Sequence, residues 1–271
     1  MSIEASGSAR PVKCDFSLRH YEDILKAALA SGYRFVDYES MTQLPPGVRA
    51  CILRHDIDYI PEWAENFGKI EADLGIQASY FFQVCARPYN LREQGSVEVV
   101  RKLKAWGHLL GLHFDMSWNP QIKWEELAAL CAEEKRLFKA LTGVEPGDVV
   151  TIHNPHRFKD RVLNQAIPGL RHAYEQEWFA DIKYLSDSQG WYEGCVCKIF
   201  QEKRYDRMQL LLHPYLWPPD GDADFVRNLA RMVRWRCQDL TAYLVEYHPV
   251  AAKNEARLRQ LIVDPNLLSR P

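Results

Sequence analysis

Two aspartates lie two residues apart in Arg54-His55-Asp56-Ile57-Asp58, where an apolar run that opens at Ala50 ends in charge. Side chains two apart on a strand share a face, so a strand here aims both carboxylates at one place. Adjacent carboxylates repel, and one is driven towards protonation unless a cation neutralises the pair. A divalent metal does so, with one aspartate as ligand and the other free to take a proton from an attacking water. Strand-end caps or surface ion pairs are the plain alternative for such a pair.

Histidines supply the complement. In Gly107-His108-Leu109-Leu110-Gly111-Leu112-His113-Phe114-Asp115, His113 and Asp115 share one strand face. His108, on the other face and near the strand's start, reads as structural. Thr151-Ile152-His153-Asn154-Pro155-His156 and Leu210-Leu211-Leu212-His213-Pro214 are further apolar runs that end in histidine. One strand-end imidazole is most often a hydrogen-bonded rim residue. Several of them beside an Asp-x-Asp form a set that can ligate zinc and titrate near neutral pH as an acid must. His20, His172 and His248 sit on or beside helical stretches and read as structural.

Such residues need strands to carry them. Strands are expected at 33–38, 50–58, 78–84, 108–114, 149–153, 183–186 and 208–213. Helices are expected between them: one capped by Ser17 and stopped at Gly32, one opened by Pro61 and stopped at Gly75, and one from a Ser96 cap to Trp106. Two more follow, over 124–141 and 222–247. Cys195-Val196-Cys197 has no second cysteine pair to complete a zinc site and reads as two half-buried strand positions. Strand alternating with helix implies a parallel sheet or barrel, whose sites form where strands end.

The bulk properties agree. A length of 271 residues suits one α/β domain, since such barrels commonly run to about 250 residues. Hydrophobic content of 47% and charged content of 26% suit a chain that buries a core. A net charge of -2, from 34 basic and 36 acidic residues, lacks the basic excess of a nucleic-acid binder. No apolar run reaches the roughly 18 to 20 residues of a membrane span, and the polar start lacks the apolar core of a signal peptide. The expectation is a cytoplasmic protein with a flexible N-terminus over 1–14 and a single domain over 15–271. Seven scattered cysteines fit reduced thiols.

From about Ala50 to His213 these segments resemble, in order as well as content, the polysaccharide deacetylase family (carbohydrate esterase family four). The resemblance implies a distorted (β/α) barrel of about seven strands. It implies Asp56 as general base and Asp58 as metal ligand. The segment 107–113 is similar to the family's Gly-His-Glu-Ile-Gly-x-His, which carries a ligand role onto His113. Asp187-Ser188-Gln189-Gly190-Trp191 is similar to the Asp-x-x-x-Trp that lines the acetate pocket, so Asp187 and Trp191 become substrate-binding candidates, with Asn154 beside them. Leu210-Leu211-Leu212-His213 is similar to the closing Leu-Leu-x-His, whose histidine protonates the leaving amine.

Two departures stand out. The family's second metal histidine, four residues after the first, is here Ser117, and its Arg-Pro-Pro element, which orients the base, is replaced by His153-Asn154-Pro155. The third ligand is then His153, with Asp115 as its competitor. The implied function is removal of an N-acetyl or other acyl group from a sugar by a divalent metal, with zinc the expected ion. The likeness is greatest to deacetylase-like proteins of bacterial surface-polysaccharide (O-antigen) gene clusters, so the substrate would be a glycan or its small-molecule, nucleotide- or lipid-linked precursor. Tyr80, Trp118, Trp191 and Trp217 are candidates to stack on sugar rings. The alternatives are a catalytically silent sugar-binding member of the same fold, which Ser117 favours, and a metal-dependent C–N hydrolase with another substrate.

Overall fold

Among the described residues, seven short strands, all parallel, bring the polar strand ends to one rim. The computed structural model describes residues 14–118 and 121–263; of the expected flexible start, residues 1–13 lie outside the described range. The chain divides after Ala223. The second unit consists of the helices Phe225–Tyr247, Pro249–Lys253 and Glu255–Val263, the first capped by the Asp224 carboxylate, which accepts from the Arg227 N–H at 3.1 Å. Among the described residues no helix is long and apolar enough to cross a membrane.

The first unit holds the strands β1 (Arg34–Phe35), β2 (Ala50–Ile57), β3 (Ser79–Phe82), β4 (Leu109–Phe114), β5 (Thr151–Ile152), β6 (Lys183–Ser186) and β7 (Arg207–Leu212). Their order is β5-β4-β3-β2-β7-β6, with β1 beside the start of β2. From β2 the chain steps outward to β5 through the helices Ala64–Asp73, Gln94–Ala105 and Leu127–Thr142. It then crosses to the far edge as β6 and returns inward as β7. Among the described residues β5 and β6 share no ladder. The crossing segment fills that seam: His172 bridges Val150, and the Tyr174 hydroxyl donates to the Ile152 carbonyl at 3.1 Å. From the other side, Gln209 of β7 donates to the carbonyls of Ala173 and Trp178 at 3.0 and 2.7 Å. This is the distorted (β/α) barrel that the sequence implies, with one wall made of loop.

All eight residues of β2 are buried, as a parallel strand covered on both faces requires. Ala50 and Ile52 point into the barrel among Tyr38, Met41, Phe81, Ala173 and Trp178. Arg54 and Asp56 continue the same column, so the interior turns from apolar to charged as it nears the rim. His55 points the opposite way, its Nε2 2.6 Å from Glu71 Oε1. Glu71 also accepts from the Tyr80 hydroxyl at 2.5 Å and from the Tyr21 hydroxyl. His108 is structural: Nε2 donates to the Gly68 carbonyl at 2.9 Å and Nδ1 accepts from the Ala78 N–H at 3.3 Å.

Two local readings are corrected. Ser96 does not cap its helix, which starts at Gln94; Ser96 is buried in the first turn beside the apolar face of Val99, Val100 and Leu103. Cys195 and Cys197 are not strand positions. Cys195 precedes the helix Val196–Gln201 and Cys197 lies within it, because Val196, Cys197, Ile199 and Phe200 recur at helical spacing and bury one face.

Gly111 sets how closely β3 and β4 pack inside the barrel. A Cβ there would lie 2.4 Å from Phe81 Cε1, on the ring of its register partner. Gly111→Ala is therefore expected to cost about 1–3 kcal/mol through overpacking. Urea denaturation should show a lower midpoint with an unchanged slope; an unshifted midpoint would mean the ring has room to move aside.

Candidate functional site

The rim gathers the sequence candidates from four strands. Asp58 follows β2, His113 is the penultimate residue of β4, His153 follows β5 and His213 follows β7. His113 Nε2 lies 3.0 Å from Asp58 Oδ1 and 3.1 Å from His153 Nδ1, and His153 Nδ1 lies 3.2 Å from the same Asp58 oxygen. These three atoms form a nearly equilateral triangle. Donors of a tetrahedral zinc, each about 2.0–2.1 Å from the ion, lie roughly 3.3 Å apart, so the donor set fits a divalent metal in both chemistry and spacing. His113 Nδ1 is 2.6 Å from Thr151 Oγ1, its register partner on β5, which fixes the ring with Nε2 facing the triangle.

Asp115 does not join them. Its carboxylate is taken up by Ser117, accepting from the backbone N–H at 2.7 Å and the hydroxyl at 2.9 Å. Ser117 is exposed and stands outside the cluster. His153 holds its position because Asn154 turns the chain sharply behind it, with a left-handed φ of 50° that asparagine tolerates. Burial works against charge on Asp58, but hydrogen bonds from His113 and His153 hold its carboxyl well below the usual range. Burial likewise lowers the His153 imidazole, and its bond to Asp58 outweighs this and raises it.

Asp56 flanks the triangle, its Oδ2 3.6 Å from His113 Nδ1. Arg54 grips it with both arms: Nε donates to Oδ1 at 2.9 Å and an Nη to Oδ2 at 2.6 Å. The guanidinium is fully buried and also donates to Tyr174 Oη at 2.5 Å and Gln209 Oε1 at 3.1 Å. Burial alone would raise the Asp56 carboxyl; the Arg54 charge, with His113 and His213 nearby, brings it below its ordinary value. The Arg54–Tyr174 pair was missed from the sequence. The alternation Arg54, Asp56, Asp58 signals Arg54, whereas nothing local signals a tyrosine 120 residues away.

His213 flanks the opposite side, its Nε2 3.8 Å from Asp58 Oδ2. Its Nδ1 is 2.6 Å from Asp187 Oδ1, directly beyond β6. Asp187 Oδ2 accepts from the His213 backbone N–H at 2.9 Å and from the Trp217 indole at 2.8 Å. Burial lowers the His213 imidazole, but the Asp187 charge and hydrogen bond, helped by Asp58 and Asp56, push it up to about 9.

A small cleft of about 90 Å³ opens over these groups, lined also by Asn154, His156, Tyr184 and Ser188. Asp187 does not reach it: the residue is wholly buried and both its oxygens are engaged, so it holds His213 instead of touching a substrate. Trp191 lines an adjoining cavity that shares Tyr184, Ser186 and Ser188 with the cleft. Tyr80 and Trp217 are buried against Glu71 and Asp187 and have no face for a sugar; Trp118 is exposed. Tyr59 and Tyr215, edge to face at 4.6 Å, form an aromatic pair beside His213 that the sequence did not single out.

Removing Arg54 would leave a buried aspartate without its cation. Arg54→Met is expected to destabilise by about 3–5 kcal/mol near neutral pH. The folded Asp56 carboxyl is depressed, so its contribution is present above the unfolded carboxyl range and is lost as pH falls through the folded value. The gap between wild type and variant should therefore narrow as pH falls. A gap that stays constant with pH in denaturant titrations would count against the pair.

No protein-family model matches the chain, and no curated protein does. Among solved structures it is similar to IcaB from Ammonifex degensii, at 16% identity over 50% of this chain and 66% of that one, with a TM-score of 0.38. The chain thus spans just under two thirds of the IcaB chain. It is also similar to a family 4 carbohydrate esterase from Bacillus anthracis (14% identity, 87% of this chain and 90% of that one, TM-score 0.42). A Streptococcus mutans CE4 esterase is similar at 11% identity, over 76% of this chain and 89% of that one, with a TM-score of 0.45.

Proposed function

We propose that this chain is a metal-dependent deacetylase that removes an N-acyl group from a sugar or a nucleotide- or lipid-linked sugar precursor. The observation that carries the reading is the donor triangle of Asp58, His113 and His153 between two differently tuned groups. Asp56, held ionised by Arg54, stands on one side, and His213, held protonated by Asp187, on the other. A divalent cation, for which zinc suits an Asp-His-His set, would supply Lewis acidity towards water and the acyl carbonyl.

The residues divide the proton work. Asp56 takes a proton from the attacking water, for which an ionised carboxylate with a fixed orientation is suited. His213 Nε2, facing the cleft, gives a proton to the departing amine; a pKa of about 9 keeps it charged at neutral pH. Two groups whose surroundings push them in opposite directions are the usual basis for assigning base and acid. Asp187 and Arg54 are positioning residues. Asn154, at the cleft wall, and Trp191, in the adjoining cavity, are the proposed substrate contacts.

The direct test combines metal analysis with amine release from N-acetylated sugars. Asp58→Ala and His113→Ala should each bind one equivalent less zinc than wild type. Each should release amine about a thousandfold more slowly, the worth of roughly 4 kcal/mol of lost charge stabilisation. Undiminished turnover in either variant would defeat the assignment, and full zinc binding without amine release from any acylated sugar would favour the silent sugar-binding reading.

The Asp187–His213 pair predicts a pH signature. An acid is active below its pKa, so kcat/KM should fall on the alkaline side as His213 loses its proton. Asp187→Asn removes the charge that raises that pKa, so the alkaline limb should move to lower pH while kcat drops by about 10²-fold or more. An unmoved limb would show that some other group sets it.

A further inference from the structure

A second cluster of metal-binding side chains lies away from the cleft. Cys14, His20 and Cys195 are all buried, and their donor atoms lie within 4.8 Å of one another. His20 Nε2 is 3.0 Å from Cys195 Sγ, and a third sulfur, that of Cys197, is 3.1 Å from Cys195 Sγ. The Trp191 indole N–H donates to Cys14 Sγ at 3.2 Å. We propose that Cys14, His20 and Cys195 hold a thiophilic divalent metal ion, zinc by the character of the donors, with Cys197, whose sulfur lies beside Cys195 but outside the three-donor group, the candidate fourth donor.

Two sulfurs and an imidazole are the donor types of structural zinc sites, which are closed by a fourth protein ligand. Sulfurs sharing one zinc, each about 2.3 Å from it, lie roughly 3.8 Å apart. The 3.1 Å between Cys195 and Cys197 is too long for a disulfide, about 2.05 Å, and shorter than that spacing. An imidazole against the central sulfur is a donor that a thiol pair alone would not use. The indole N–H on Cys14 is the kind of outer partner that steadies a metal-bound thiolate. Binding would replace the S–H protons of Cys14 and Cys195 by bonds to the ion and release both protons to solvent.

The donors come from three places: the chain just before the helix Leu18–Ala30, that helix's first turn, and the residue before the helix Val196–Gln201. An ion there would pin the end of the segment 187–195 to Cys14 and the first turn of the helix Leu18–Ala30. That segment begins with Asp187 and includes Trp191, which stacks against Phe16 with ring planes 10° apart.

Cobalt(II) alone, added to the full chain after reduction and removal of metal by a chelator, distinguishes the two sites, since only this one contains sulfur. Wild type should show a thiolate-to-cobalt charge-transfer band that saturates by two equivalents, because the cleft also takes cobalt, and that disappears when zinc is added. The band should be lost in Cys195→Ser, weakened in Cys14→Ser, and kept in Asp58→Ala and His113→Ala. A folded, reduced wild-type chain that takes up cobalt without this band overturns the proposal. So does a chain isolated two hydrogens lighter, as a disulfide, that takes up no cobalt even after reduction. Where the cysteine variants fail to fold, X-ray absorption on the zinc-loaded wild type decides: sulfur in the zinc shell supports the site, and its absence overturns it.

Discussion

A buried arginine on the central strand is the constraint from which the rest of the site follows. Arg54 lies inside the barrel with no exposure, where an unpaired guanidinium would cost several kcal/mol in desolvation. The cost is offset only because Asp56, Tyr174 and Gln209 take its hydrogen bonds. Those partners come from β2 itself, from the segment that crosses the open seam, and from β7. Satisfying one cation therefore fixes the seam, the β2–β7 register and the orientation of Asp56 together. Replacing the group by apolar side chains would satisfy packing just as well. What it would lose is a carboxylate held ionised at the rim of a buried, apolar interior, which the proposed base requires.

The opposite flank solves the converse problem with the same means. A histidine at the mouth of a barrel is pulled towards neutrality by burial, and Asp187 reverses this from behind. Because both Asp187 oxygens are committed, to the imidazole, to the His213 N–H and to the Trp217 indole, the ring has one orientation and presents Nε2 outward. The β6–β7 register makes the pair possible: Ser186 is opposite Leu211, so Asp187, one residue on, and His213, two residues on, meet diagonally across the strand ends. The proposed acid and base thus differ through their partners: one carboxylate faces a fixed cation, and one imidazole faces a fixed anion.

How much of this the sequence discloses depends on range. β2 was legible because its apolar run and its alternation are local, and the strand-end histidines were legible because each follows a short apolar segment. Period-two logic also separated His113 from His108 and put them on the faces the structure gives them. Interactions across the barrel were not legible. Nothing near Asp187 states that it will meet His213 instead of a ligand, and nothing near Tyr174 or Gln209 points to Arg54. Cys195 and Cys197 misled because two residues apart suggests a strand, while the helix depends on Ile199 and Phe200 further along. Ser96 misled because a serine before an apolar helix face suits a cap, yet a small side chain also suits a buried first turn.

Ser117 and His153 differ in what holds them in place. Four residues after His113 the chain is in the turn beyond β4, where Ser117 is exposed and bonds to the half-buried Asp115. In the β4–β5 ladder His113 is opposite Thr151, so the residue two further along β5 emerges on the same face, one strand over. That residue is His153. Thr151 meanwhile bonds the back of the His113 ring, so the strand that brings His153 also orients the imidazole beside it. The ladder fixes both in one step: a side chain on a neighbouring strand is held by backbone register, which a side chain on the turn beyond β4 is not.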